Sequence, residues 1–119
     1  MIRMISICIG LLLAVPAWAE EFQTVRDRGT FLSIVQDRNL NIPFWGIRLE
    51  VQPDGRIRGE ALGRPVSGMW QWQGDYFCRD LMWGERDLGA NCQEVKVQGQ
   101  TVRFTSDRGE GRFADLTLR

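Results

Sequence analysis

From Ile47 to the C-terminus, apolar and polar residues alternate, and glycine or proline interrupts the alternation at short intervals. Alternate side chains of an extended strand face opposite sides, so a chain patterned this way buries its apolar face by laying strands side by side. Ile47, Leu49 and Val51 alternate with Arg48, Glu50 and Gln52, and Pro53, Asp54 and Gly55 then supply turn chemistry. The return strand, residues 56–62, sets Ile57, Gly59 and Ala61 against Arg58 and Glu60, small side chains that permit close packing. After a turn at residues 63–65, Val66, Gly68, Trp70 and Trp72 share one face, and residues 73–75 turn the chain again. Residues 76–83 read as a strand and 84–91 as a polar loop. Cys92 begins a strand through Val95 and Val97, and residues 98–100 turn into Val102 and Phe104. A turn at Asp107, Arg108 and Gly109 precedes a final strand over 111–118.

About seven or eight short strands with short glycine-rich connections make an antiparallel meander the natural solution. Closing the sheet removes its exposed edges. The expected fold class is therefore all-β, a small antiparallel up-and-down barrel or half-barrel, with an open two-layer sandwich as the alternative. Ahead of it, residues 20–40 read as helical, with Phe31, Ile34 and Val35 on one face and Asp27 placed to cap the start, a short lid or plug helix.

The chain opens with the three-part order of an export signal: Met1 and Arg3, an apolar run from Ile5 to Val15, then Pro16, Ala17, Trp18 and Ala19. Such a run is too short to span a bilayer, which takes roughly 20 residues, so a cleaved signal peptide over 1–19 is expected rather than a retained anchor. Cleavage after Ala19 leaves one domain over 20–119, sent to the periplasm, with no membrane span. Cys8 sits inside the apolar run without the small residue that precedes a lipidated cysteine, and leaves with the signal.

Cys78 and Cys92 remain as an even pair in an oxidising compartment, the setting in which a structural disulfide is expected. A metal or redox site is the weaker alternative, because the chain contains no histidine and the two cysteines are not in C-x-x-C spacing. Histidine-dependent catalysis by serine or cysteine is excluded for the same reason. The chain balances 15 basic against 15 acidic residues, and loss of Arg3 alone leaves it at −1, so no global field draws it to nucleic acid.

Residues 68–83, G-M-W-Q-W-Q-G-D-Y-F-C-R-D-L-M-W, resemble a group of small exported bacterial proteins of uncharacterised function. The similarity continues through N-C-Q-E-V at 91–95 and R-F-T-S-D-R-G-E-G-R at 103–112. Some members of the group carry the name dihydrodipicolinate reductase, which implies hydride transfer from a nicotinamide cofactor. That chemistry needs a glycine-rich turn between a strand and a helix in a parallel sheet. No G-x-G-x-x-G follows a strand here, Gly109 and Gly111 lie between two expected strands, and no catalytic residue or cofactor is carried over from the name.

Two clusters remain. Asp75, Asp80, Glu85 and Asp87 gather around the cysteines, and paired carboxylates can hydrolyse glycosides, but loop carboxylates are ordinarily solvated. Trp70, Trp72, Tyr76, Phe77 and Trp83 lie close together beside Arg79. Trp70 and Trp72 are expected to fill the core. Trp83, at a strand end beside a loop, is expected to be exposed, and Trp45, next to Pro43 and Phe44, to cap one barrel end. Arg79 follows Cys78 and must face the opposite side, either in an ion pair with Asp80 or as an anion clamp. Trp83, Arg79, Tyr76 and Trp45 are thus the candidate ligand-binding residues of a non-enzymatic module, its partner a small ligand or an envelope protein. An enzyme and an envelope structural or stress protein are the alternatives.

Overall fold

The computed structural model describes Gly10 and residues 21–119; the signal peptide expected over 1–19 lies outside the described residues, Gly10 apart. The strands are β1 (Gln23–Val25), β2 (Leu40–Ile42), β3 (Ile47–Val51), β4 (Arg56–Ala61) and β5 (Arg64–Gln73), then β6 (Tyr76–Trp83), β7 (Arg86–Gln98), β8 (Thr101–Thr105) and β9 (Phe113–Leu118). The single α-helix among the described residues, α1 (Arg28–Val35), separates β1 from β2. All pairings are antiparallel, in the order β7-β6-β5-β4-β3-β2-β9-β8, and β8 pairs back onto β7, so eight strands close a barrel. β1 adds to β7 beside the ring, Gln23 opposite Val97 and Val25 opposite Val95.

The alternation determines which way each side chain points. Val51, Ile57, Val66, Trp70, Phe77, Val95, Val102 and Leu116 are all buried, while their outward neighbours Glu50, Arg58, Ser67 and Met69 are exposed. Gly59 of β4 and Gly68 of β5 are required by the curvature. A Cβ at Gly59 would collide with the carbonyl of Arg48, and one at Gly68 with the carbonyl of Asp80. Only residues without a side chain let neighbouring strands coil that tightly.

Helical character is confined to a shorter stretch than residues 20–40, since β1 and β2 occupy the flanks of that segment. Asp27 caps α1 as expected: its carboxylate accepts from the Thr30 amide at 2.8 Å and from the Thr30 hydroxyl at 2.9 Å. The Thr30 amide bond, reinforced by the hydroxyl, holds the Asp27 carboxyl below the usual aspartate value. Phe31 and Val35 are fully enclosed, and the Phe31 ring meets Trp72, Phe77 and Trp70 at 5.2, 5.0 and 5.5 Å between centroids. The helix is thus a plug for one end of the barrel.

Residues 84–91, expected as a polar loop, instead turn at Gly84 and enter β7 at Arg86. A register shift beside Leu81 and Met82 leaves Leu88 as the extra residue of a bulge, with Gly89 at φ 78°. Pairing with β6 decides the matter here, because a strand with one free edge needs few apolar residues of its own. The final strand likewise starts at Phe113 rather than Gly111, because residues 106–112 remain in the turn.

Candidate functional site

β7 is long and β8 is short. β8 pairs with Glu94–Gln98 of β7, so β7 before Glu94 has β6 on one edge and no strand on the other. The turn between β8 and β9 fills part of that gap. Asn91 holds it from both sides, donating from Nδ2 to Asp107 Oδ1 at 2.8 Å and accepting from the Asp107 amide at 3.0 Å. This clamp accompanies the left-handed backbone of Asp107 and Arg108, at φ 55° and 54°.

Behind the gap lies a half-open cavity of about 300 Å³. Leu40, Leu49, Val51, Ile57, Leu81 and Leu116 form its walls. Phe77 and Phe104, their rings 5.4 Å apart, also line it, and both rings contact Phe31, so they separate the cavity from the helical plug. The polar lining is Arg79, Gln93, Ser106 and Arg112, and exposed Phe113 and Ala114 complete the rim.

Arg79 is the charged group set furthest into this space. Its neighbours on β6, Cys78 and Asp80, face the outer side, and its strand partners are Trp70 and Asn91. The side chain is half-buried, and Nη1 donates to the Gly89 carbonyl at 2.9 Å. Partial burial pulls the guanidinium below its usual value, a shift that the charge of Asp80 partly offsets. Arginine still stays protonated, because its intrinsic value lies so far above neutrality. Among the described residues no carboxylate forms an ion pair with it. Gln93 is nine-tenths buried beside it and donates to the Ser106 hydroxyl at 3.3 Å.

The other three expected ligand residues stand apart from the cavity. Trp83 is half-buried rather than exposed: its indole donates to the Ala61 carbonyl at 2.7 Å and Arg64 stacks at 4.8 Å from its centroid. The expected loop beside it is the start of β7, which leaves the ring covered. Tyr76 lies under Arg108, 5.8 Å from guanidinium to ring centroid. Trp45 is 52% exposed on the turn Pro43–Trp45, edge-to-face with Phe44 at 5.1 Å. Trp70 is buried and Trp72 packs against the core, with their indoles donating to Gln52 and Arg26 carbonyls.

Cys78 and Cys92 form the disulfide, directly opposite one another on β6 and β7 with Cα atoms 3.9 Å apart. It lies on the other side of the sheet from Phe77 and Arg79 and ties the half-free strand to its only neighbour there. Such a crosslink is compatible with an exported chain. The acidic cluster does not converge on the cavity: Asp75 lies 3.9 Å from Arg26, Asp87 accepts the Gly89 amide, and Asp80 and Glu85 are exposed. Among the described residues no helix is long and apolar enough to cross a membrane.

The connections β2–β3, β4–β5, β6–β7 and β8–β9 all lie at the end opposite α1, as alternate connections of an up-and-down ring must. They carry Phe44 and Trp45, Leu62, and, just inside the strands, Leu88 and Phe113, five large apolar residues exposed around the open end. Periodicity identified Arg79 but missed Arg112, Gln93 and Ser106; the R-F-T-S-D-R-G-E-G-R segment contained two of them, read there only as turn and strand. Comparison with family models, with curated proteins and with solved structures gives no match to the chain.

Proposed function

We propose that this chain is a non-enzymatic binding module of the periplasm that takes a small, mainly apolar ligand into the open end of its barrel. The cavity carries the reading. What sets it apart is its lining, which is mainly apolar, with Leu40, Leu49, Val51, Ile57, Leu81 and Leu116 around a half-open space of about 300 Å³. Its volume falls at the lower bound of ordinary ligand pockets, about 300–1,000 Å³.

The same five exposed apolar residues favour a second reading, in which the open end docks on an envelope protein. Asp75, Asp80, Glu85 and Asp87 lie outside the lining of the cavity, so neither reading gives them a part in binding.

Calorimetric titration with a neutral solvatochromic dye tests the first reading. The parent protein should bind one equivalent, and Leu49→Trp, which fills the cavity, should abolish binding while the circular dichroism spectrum stays that of the parent. Dye bound equally by both would locate it on the rim and support docking instead.

A further inference from the structure

We infer that the ligand of this barrel is an amphipathic carboxylate, held head-first on Arg79 with its hydrocarbon body among the leucines of β3, β6 and β9. The inference rests on the binding reading above and names the chemistry of the guest.

A neutral apolar guest would need no charged group in the wall. Here one strand of the wall sets Phe77, Arg79 and Leu81 in succession on the inner face, so a permanent cation interrupts an apolar surface. Burying a charge is costly unless it is paired. Arg79 has one acceptor, the Gly89 carbonyl, and no carboxylate partner among the described residues. A guanidinium carries five N–H groups in a planar fork. The bond to Gly89 uses one of them, and the rest match the two oxygens of a carboxylate. Gln93 and Ser106 stand on the neighbouring stretch of wall, where their amide and hydroxyl add donors for a second oxygen. A phosphate dianion would call for more than one inner cation, whereas Arg112, the other arginine in the lining, is exposed at the rim. The cavity lies at the small end of ordinary ligand pockets, which suits a short hydrocarbon body.

Octanoate and octanol, equal in length and different in charge, are the probes. At neutral pH the parent protein should bind octanoate about ten- to a hundredfold more tightly than octanol, the range for hydrogen bonds to a charged group. Lowering the pH through the acid's own titration should erase that preference without changing octanol binding, a readout that needs no variant. Arg79→Gln should remove the preference and Arg79→Lys should keep part of it, while Arg112→Gln should leave most of it. Equal binding of the two probes by the parent protein, or a preference that survives Arg79→Gln, overturns the carboxylate and leaves the binding module standing. A preference lost only in Arg112→Gln moves the head to the rim and overturns the role of Arg79, and octyl phosphate bound more tightly than octanoate overturns the choice of anion. If neither octanoate nor octanol binds, the binding reading falls and this inference with it.

Discussion

At the end of the barrel that carries α1, aromatic rings fill the space. Phe31 meets Trp70, Trp72, Phe77 and Phe104, and the two indoles donate to carbonyls on the surrounding chain. Beside this packing the strands line a half-open cavity that reaches from Leu40, Val51 and Ile57 to Ser106 and Arg112 at the gap, and at the opposite end the large apolar residues of the connections are exposed. The difference does not come from the alternation, which is the same along the whole length of β5 and β6. It comes from an eight-residue helix at one end and from a mismatch of strand lengths at the other, where β7 outruns β8. A barrel closed by its own chain at one end and left with a notch at the other has a floor and an entrance.

That contrast can be broken from several sides. The largest effect belongs to the curvature both ends share: Gly68→Val sets a side chain against the Asp80 carbonyl and should cost more than about 4 kcal/mol or prevent folding, as read by chemical denaturation. Phe31→Ala strikes the closed end alone. Removing a fully buried ring should cost about 3 to 5 kcal/mol, and a loss no larger than that of a surface substitution would show that the helix is not the floor. Next comes the half-free strand at the open end, where replacing Cys78 and Cys92 together by serine should cost about 3 kcal/mol, the loop-entropy value for a separation of 14 residues. Amide exchange should rise in residues 86–93 before it rises in Glu94–Gln98, since the latter keep β1 and β8 as neighbours.

The helix cap gives a smaller, pH-dependent effect. The Asp27 carboxyl lies below its ordinary value in the folded chain, so its contribution is full above the ordinary aspartate range and is lost as the pH falls through the folded value. Asp27→Asn retains a capping acceptor and should flatten that acid limb of the stability profile, measured as melting temperature against pH. Smallest of all is the rim: Phe44→Ser, at a residue 86% exposed, should change stability by less than about 0.5 kcal/mol. A large loss there would mean that the open end is covered in a way its exposure does not suggest.

Much of the wall was legible in the residues. From β3 to β5 the alternation gives each strand and its inner face, Trp70 included, because nothing there competes with the period of two; for β6 it gives the strand but not which face turns inward. Cys78 and Arg79 were assigned to opposite faces by parity, and the structure bears that out with the disulfide outside and the guanidinium inside. The short strands β1 and β2 escaped, since three residues are too few to display a period and they flank a real helix. The first half of β7 escaped for a different reason. Its residues are mostly polar, and a bulge at Leu88 resets the parity that would have marked it as a strand. The candidate site was half legible for the same cause. Aromatic density around residues 70–83 drew attention to Trp83 and Tyr76, yet where a ring points depends on strands that pair far along the chain. Gln93, Ser106 and Arg112 come together only once β7 and β9 are neighbours of β8.

Binding requires the interior beside Phe77 and Phe104 to be open to a guest, and methyl-resolved NMR tests that most directly. On titration with octanol, methyl signals of Leu49, Ile57, Leu81 and Leu116 should shift together and saturate at one equivalent. Shifts confined to residues around Phe44, Leu62 and Phe113, or no shifts at all, would show that the barrel admits nothing.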